Sequence, residues 1–318
     1  MDWTKIFSCG IWFYPVCLIM TVILFILSPV TDNRFIWLYL GTGAMLLWTV
    51  RPQSTLYKTT LEKFTWKKKA FCVLTVVITI AACTWPMGKI PIWNGEVPDH
   101  RNQYELMAEA ILEGHIDLRY GDEKELSKLD NPYDPEEREE SGVKFHWDHA
   151  FYDGHYYMYF GVVPVFLVFL PYRIITGMPL TTYHATQIFV AAAIIGIFTL
   201  LYLLSKLFFK KLSYCVYLAL SVAFSVMSVW YSIAVPALYC TAITSAIALE
   251  IWSLYFYIRA VWGETSENRQ IIFAFIGAAL GALAFGCRPP IALANILVLP
   301  MLVVFLRQRK ITFRLIGK

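Results

Sequence analysis

The chain has 318 residues, of which 58% are hydrophobic and only 16% charged, and its mean hydropathy is +0.54. A water-soluble domain cannot bury that much apolar surface, whereas a helix bundle in a lipid bilayer requires it. The net charge of +4 does not indicate a nucleic-acid-binding protein, because the basic residues cluster in short loops beside apolar runs. All seven cysteines lie in or beside apolar runs and no CxxC motif occurs, so neither a disulfide framework nor a zinc site is indicated.

Continuous apolar runs cover most of the chain and approach the length of about 20 residues that a membrane-spanning helix needs. In chain order they are Ile11–Ser28, Phe35–Val50, Ala70–Met87, Thr182–Ser205, Leu212–Trp230, Ala237–Ile258, Ile271–Cys287 and Ile291–Leu306. No small-residue cleavage site follows the first run, which favours a retained span over a removed signal peptide. The predicted fold is therefore an all-α, polytopic membrane helix bundle of about eight transmembrane helices with one long external loop.

The apolar run Tyr156–Tyr172 is ambiguous, because it is about 17 residues long and contains Pro164 and Pro171. The chain has four basic stretches, which the positive-inside rule places in the cytoplasm. All four lie there if Tyr156–Tyr172 does not cross the membrane. If it does cross, the last three move to the outer side. The basic stretches are Arg51–Lys69, Lys206–Lys211, Arg259–Arg269 and Arg307–Lys318. We therefore predict that Tyr156–Tyr172 lies along or dips into the outer face. Both termini are then cytoplasmic, and Gly88–Thr181 is external.

The external loop collects most of the groups that perform acid–base chemistry. Seventeen of the 23 carboxylates lie between Glu96 and Asp153, and all six histidines lie between His100 and His184. Any loop outside the membrane is also where charges are least costly. The acidic run Asp122–Glu140 is equally well explained as solvated turns.

An amphipathic helix is predicted over Arg101–Glu113, closed by Gly114 and suited to lie on the membrane surface. Its apolar face consists of Tyr104, Met107, Ala108, Ile111 and Leu112. Asp99 lies where the N-cap of this helix is expected. Capping and catalysis are compatible, since both need a carboxylate fixed beside the membrane.

A second structured part of the loop is His146–His155, in which Asp-Gly predicts a tight turn between two aromatic flanks. That turn is expected to direct Asp153 and His155 back towards the bilayer. A His/Asp metal site is the alternative, although the spacing matches no signature.

Two charged residues of the apolar runs have both a structural and a functional interpretation. Arg288, at the outer end of a Gly/Ala-rich span, either snorkels to headgroups or binds a lipid phosphate. Glu250 lies near the middle of its span, where an acid is a functional candidate, but we favour a protonated interhelical hydrogen bond. The pair Gly277 and Gly281 indicates close helix packing.

The order of these features resembles the membrane-embedded GT-C glycosyltransferases, a superfamily that includes protein O-mannosyltransferases and aminoarabinose transferases. The resemblance rests on Asp99 … Tyr104 … Gly114-His-Ile-Asp-Leu118, on Asp153-Gly-His-Tyr-Tyr … Pro164 … Pro171-Tyr-Arg, and on Arg288-Pro289. It covers roughly Ala70–Leu306. Residues 1–69 then form two extra N-terminal spans and a basic loop, and residues 70–318 form the GT-C-like core. Relatives continue with more spans and often a soluble domain, so the resemblance implies a core that is incomplete at its C-terminus.

The resemblance implies an inverting transfer of a sugar from a polyprenyl-phosphate donor, on the outer face of the cytoplasmic membrane. The acceptor is a glycan, a lipid or a protein. Asp99 is the expected base on the acceptor, and Arg288, with Arg173 second, is the expected cation for the leaving phosphate. A soluble nucleotide-sugar donor is not indicated, because the chain has no Gly-rich phosphate loop.

Three further residues complete the expected site. Asp153, as a second catalytic group, and His155 finish the acceptor side or hold a divalent cation, the one cofactor under consideration. Tyr104 belongs to the expected substrate-binding residues. The rival hypothesis is a transporter or flippase of lipid-linked glycans that uses Glu250 as a proton site, and a non-catalytic scaffold ranks third.

Overall fold

The computed structural model of the chain is largely helical. It describes residues 13–27, 40–41, 43–44, 47–48, 51, 58–62, 65–85, 102–121, 123–143, 145–146, 148–234, 238–263 and 266–309. Asp99, most of Phe35–Val50 and both termini lie outside the described residues. The chain divides into two compact units, one from Met1–Thr75 and Leu201–Ala223, the other from Val76–Leu200 and Phe224–Lys318.

Before the polar segment the bounds of two helices are described, and residues 40–41, 43–44 and 47–48 are also helical. Helix α1 spans Phe13–Leu27 and helix α2 spans Trp66–Thr84, within or overlapping the first and third predicted runs. Helix α1 has 15 described residues, fewer than the about 20 that a span requires. Helix α2 has 19 residues and begins with three consecutive lysines just after Trp66.

Short elements fill the polar segment and share one hydrophobic core. They are α3 (Gln103–Glu113), α4 (Glu123–Leu126), α5 (Pro135–Ser141), β1 (His149–Tyr152), β2 (His155–Met158), a π-helical turn (Val165–Phe169) and α6 (Leu170–Thr176). The core is centred on Tyr104, Tyr156 and Phe169, which are at most 1% exposed. The segment is thus a folded body, although the acidic stretch with α4 and α5 is exposed for the most part, apart from the buried Leu126.

The predicted tight turn in the polar segment is confirmed. Strands β1 and β2 pair antiparallel, with His149 opposite Met158 and Tyr152 opposite His155. The two turn residues, Asp153 and Gly154, have φ values of 48° and 75°. Both lie in the left-handed region that a two-residue Asp-Gly hairpin turn requires.

Among the described residues, five helical segments are long and apolar enough to cross a membrane, and all five follow the polar segment. They are α7 (Thr182–Phe208), α8 (Tyr214–Ala234), α9 (Leu238–Trp262), α10 (Glu267–Phe285), and Ile291–Gln308, a 3-10 stretch (Ile291–Leu297) that continues as α11 (Val298–Gln308). They match the last five predicted runs. The protein is therefore a helical membrane protein.

The apolar run Tyr156–Tyr172 is not a single helix. Its first three residues belong to β2, and its helical part continues from Val165 to Thr176 as five π-helical and seven α-helical residues. At about 1.5 Å per residue this part is about 18 Å long, against about 30 Å of hydrocarbon core. It is too short to cross a bilayer.

The glycines of α10 permit the close packing that the sequence predicts. A Cβ atom on Gly277 would lie 2.9 Å from the Tyr257 ring of α9, and one on Gly281 would lie 2.3 Å from Asn295 Oδ1. The Ser253 hydroxyl also donates to the Gly277 carbonyl oxygen at 2.8 Å. Small residues let helix backbones approach in this way.

Candidate functional site

Helix α3 begins at a cap that differs from the predicted one. The Asn102 side chain accepts hydrogen bonds from the backbone amides of Tyr104 and Glu105, both at 3.1 Å. Asn102, not Asp99, is therefore the N-cap, because its amide oxygen satisfies the first free N–H groups of the helix. Asp99 precedes this cap by three residues and lies outside the described part of the chain.

The first two turns of helix α3 are buried in the polar segment. Every residue from Gln103 to Ala108 is buried, including two polar ones. Gln103 donates to the Asp148 carbonyl oxygen at 2.8 Å and accepts from the Tyr159 amide at 3.2 Å. The buried polar residues of α3 thus bind other parts of the polar segment, Gln103 the ends of the hairpin and Glu105 the Leu180 amide. The contact of this helix with the membrane surface stays a prediction.

Tyr104 is fully buried and stacks on Phe169 with ring centroids 5.1 Å apart. Its hydroxyl has no hydrogen-bond partner among the described residues. Burial raises the pKa of Tyr104, the Cys287 thiol acts in the same direction, and the Arg288 guanidinium opposes them. Tyr104 is thus a neutral core phenol that lies within electrostatic range of Arg288.

The turn that carries Arg288 is fixed against the polar segment. The Val163 amide donates to the Gly286 carbonyl oxygen at 3.2 Å, and a Cβ atom on Gly161 would lie 2.0 Å from that same oxygen. Only glycine permits this approach without a backbone shift. The Arg288 guanidinium carbon lies 5.8 Å from the centroid of the Phe160 ring, within cation–π range.

The Arg288 guanidinium has no ion-pair partner within the ranges that the structure describes. It is partly buried at the end of an apolar helix. A cation in such a position favours an anion, since guanidinium pairs well with phosphate or carboxylate oxygens.

Asp148 is a carboxylate beside this turn that the sequence interpretation did not select. It accepts a hydrogen bond from the Tyr239 hydroxyl and has a φ of 58°. The Tyr239 ring meets Phe160 edge-on at 5.1 Å, so Phe160 contacts both Tyr239 and Arg288. The sequence did contain a clue to Asp148. It lies in His-Trp-Asp-His, within the same His146–His155 segment from which Asp153 and His155 were selected.

Asp153 and His155 lie at the far end of the hairpin from Asp148. Four strand residues separate Asp148 from Asp153, which is about 13 Å of strand. Asp153 is exposed in the turn, and His155 Nδ1 lies 3.5 Å from Asp117 Oδ2. The described geometry does not bring these two residues to Arg288.

Arg173 of α6 is committed to a buried ion pair. Its guanidinium binds Glu105, which is 2% exposed, and also Glu109 at 3.1 Å. The other Glu105 carboxylate oxygen accepts from the Leu180 amide at 3.0 Å. Two carboxylates therefore compensate the charge of the Arg173 guanidinium, which joins α6 to α3.

Two histidines of the polar segment, His146 and His149, belong to an aromatic cluster. Tyr120 stacks on His146 with centroids 3.7 Å apart, and the Tyr120 hydroxyl lies 2.6 Å from His149 Nε2. His149 Nδ1 lies 3.3 Å from the Gln103 amide nitrogen. Among the described residues no group of three or more His, Cys, Asp or Glu side chains is arranged to hold a metal ion.

An open apolar groove of about 470 Å³ lies along α3, β2 and the π-helical turn. It is lined by Met107, Ile111, Ile116, Tyr157, Met158, Phe160, Val162 and Phe166. Phe160 therefore lines the groove and also contacts the guanidinium of Arg288. Phe160 thus connects the apolar groove with a cation that has no ion-pair partner in the described part of the chain.

A separate polar contact lies among the membrane helices. Glu250 of α9 is 4% exposed, and its Oε1 accepts from the Asn295 amide at 2.8 Å. The same Asn295 nitrogen donates to the Gly281 carbonyl oxygen at 3.1 Å. The interhelical hydrogen bond expected for Glu250 is confirmed, while Oε2 has no partner in the described part of the chain.

Comparison with known proteins finds no family model, no curated protein and no solved structure that matches this chain.

Proposed function

We propose that the protein is an inverting membrane glycosyltransferase that moves a sugar from a polyprenyl-phosphate donor to an acceptor on the outer face of the cytoplasmic membrane. The observation that supports this most is the position of Phe160. Its ring lines the apolar groove and also contacts the Arg288 guanidinium, which has no ion-pair partner among the described residues. A lipid phosphate has the same two parts, an apolar chain and an anionic head. The groove suits the first isoprene units and Arg288 suits the phosphate.

The chemistry follows from where charge develops. As the glycosidic bond to phosphate breaks, negative charge grows on the leaving oxygen, and Arg288 stabilises it. Asp99 removes the proton of the acceptor hydroxyl, which attacks the anomeric carbon from the opposite side. Tyr104 and Asp148 have supporting roles around the site. Tyr104 packs in the core beside it, and Asp148 positions Tyr239 through a hydrogen bond. The described residues offer no set of ligands for a divalent cation, so no step is assigned to one.

The test compares envelope glycans of a strain lacking the gene after complementation with the wild type or with single variants. Mass spectrometry is expected to show one sugar decoration lost in Asp99→Asn and reduced at least tenfold in Arg288→Gln. Arg119→Gln is the matched control, since Arg119 is a 63% exposed cation of the polar segment and is not among the residues that line the groove. Membrane abundance of each variant is checked by immunoblot. Full decoration in both Asp99→Asn and Arg288→Gln would overturn the proposal.

A second candidate, a transporter or flippase of lipid-linked glycans, rests on Glu250 alone. A buried acid in a span with one unpartnered oxygen is the kind of group that binds a transported proton. In the same strains Glu250→Gln distinguishes the two candidates. A glycosyltransferase tolerates it, whereas a proton-coupled transporter loses function while Asp99→Asn keeps it.

A further inference from the structure

Two basic stretches of the chain that are about 140 residues apart meet in one unit, the one formed by Met1–Thr75 and Leu201–Ala223. Thr60 and Ser213 form an isolated antiparallel bridge. The Leu61 amide donates to the Leu212 carbonyl oxygen at 3.1 Å, and the Tyr214 amide donates to the Thr59 carbonyl oxygen at 2.7 Å. The bridge fixes the loop before α2 against the loop between α7 and α8.

The first turn of α2 joins the same place. The Tyr214 hydroxyl donates to the Lys68 carbonyl oxygen at 2.7 Å, and Lys68 Nζ donates to the Thr60 carbonyl oxygen at 2.6 Å. Lys68 is half-buried, and its ammonium group connects the first turn of α2 to the preceding loop. Its neighbours Lys67 and Lys69 are exposed.

Exposed lysines collect at this end of the unit and are here called the cationic face. They are Lys58, Lys67, Lys69, Lys206, Lys210 and Lys211. Within the described residues of the unit Glu62 is the only acid. Within the described part of this unit six exposed cations stand against one carboxylate, which makes this surface strongly positive.

Exposed aromatic residues accompany the lysines. Trp66 is 73% exposed, Phe208 51% and Phe209 61%. Residues 207–212 also line an open cavity of about 500 Å³, in which two lysines sit beside four apolar side chains. Large rings next to lysines at the ends of membrane helices are typical of the water–lipid interface, where rings enter the acyl region and ammonium groups remain at headgroup level.

From this arrangement we infer that the cationic face is a binding site for anionic phospholipids of the adjoining leaflet, with the cavity at residues 207–212 holding a headgroup between Lys210 and Lys211. The positive charge selects the anionic headgroup, and the exposed rings place the site at the membrane surface. A lysine beside an anionic membrane is worth about 1 kcal/mol, or about fivefold in binding. The inference does not depend on the proposed sugar transfer.

The experiment uses the full chain purified in a neutral detergent and given equal amounts of phosphatidylglycerol and phosphatidylcholine. Native mass spectrometry counts the lipids that remain bound. The wild type is expected to retain at least fivefold more phosphatidylglycerol, and the preference weakens when ionic strength rises, because salt screens exposed charges. Lys210→Gln with Lys211→Gln removes most of it. Lys210→Arg with Lys211→Arg keeps it, because charge is preserved.

The matched control is Lys124→Gln with Lys128→Gln, which removes two exposed lysines of the polar segment. It is expected to leave the lipid preference unchanged. Lys67→Gln with Lys69→Gln is a second test pair on the cationic face, for use if the first variant fails to fold. Equal retention of both lipids by the wild type would overturn the inference. An equal loss of preference in the control variant would do the same.

Discussion

Among the described residues, the polar segment buries one glutamate and the membrane helices bury another, and the two have different partners. Glu105 of α3 is 2% exposed and Glu250 of α9 is 4% exposed. Glu105 has a guanidinium on one carboxylate oxygen and a backbone amide on the other. Glu250 has one side-chain amide and no described partner for its second oxygen.

These two glutamates differ in their partners and hardly at all in their depth of burial, and we expect the partners to decide whether a buried acid is charged. An ionised carboxylate that loses water needs a cation and further hydrogen bonds to compensate. Arg173 supplies the cation for Glu105, so α3 and α6 are joined by a true ion pair. Without such a cation among its described neighbours, Glu250 is expected to be neutral and to act as a hydrogen-bonding side chain.

The largest expected effect comes from removing the cation of the polar segment. Arg173→Met leaves the Glu105 carboxylate buried without its counter-ion, which costs about 3–5 kcal/mol of folding free energy. Limited proteolysis of the segment in detergent, together with denaturant unfolding, measures the loss. The double variant Glu105→Leu with Arg173→Met is expected to recover most of it, since no uncompensated charge then remains.

Arg119→Met is the control for this prediction. Arg119 also pairs with a carboxylate, Asp117, at 3.0 Å, but its side chain is 63% exposed. An exposed pair of this kind contributes about 0–1 kcal/mol. If Arg173→Met were no more destabilising than Arg119→Met, the buried pair would not be what joins α3 to α6.

A smaller effect is expected at the membrane glutamate. Glu250→Gln keeps an oxygen that accepts from Asn295, so the change in unfolding free energy is expected to stay below about 1 kcal/mol. Glu250→Leu removes the acceptor and leaves a donor of Asn295 unsatisfied, at a cost of about 1–3 kcal/mol. Thermal unfolding in detergent distinguishes the two. A large loss in Glu250→Gln would mean that Glu250 is ionised and that a cation binds it.

The sequence predicted the apolar helices after the polar segment because their length and composition follow from the bilayer alone. The Asp153-Gly154 turn was predictable for an equally local reason, the left-handed backbone that this dipeptide favours. Long-range partners were not predictable. Nothing in the sequence near Arg173 indicates that Glu105, 68 residues earlier, takes up its charge. The Asp148–Tyr239 pair was missed for the same reason, because 91 residues separate its members.

The smallest expected effect on stability concerns Asp117, a partly exposed carboxylate, in contrast to the buried Glu105 and Glu250. Asp117 lies 3.0 Å from Arg119 Nε and 3.1 Å from His115 Nδ1, with His155 at 3.5 Å. Desolvation alone would raise the pKa of Asp117. The net shift is nevertheless downward, because the carboxylate accepts hydrogen bonds from Arg119 and from the backbone and lies beside positive charges. The folded state therefore binds this proton less readily than the unfolded chain does. The resulting stabilisation is fully present above the unfolded pKa of about 3.9 and is lost as the pH falls through the lower folded value.

Asp117→Asn removes the titrating carboxyl group. The difference in stability between the wild type and this variant therefore reports the contribution of the Asp117 carboxylate. The wild type is expected to be more stable at pH 5 by no more than about 1 kcal/mol, because Arg119 is exposed and solvent screens the pair. The difference should shrink steadily between pH 4 and pH 2.5, measured as the unfolding midpoint of the polar segment in detergent. A difference that instead grew on acidification would mean that the Asp117 carboxyl is stabilised in its protonated form, which would place it with Glu250 and not with Glu105.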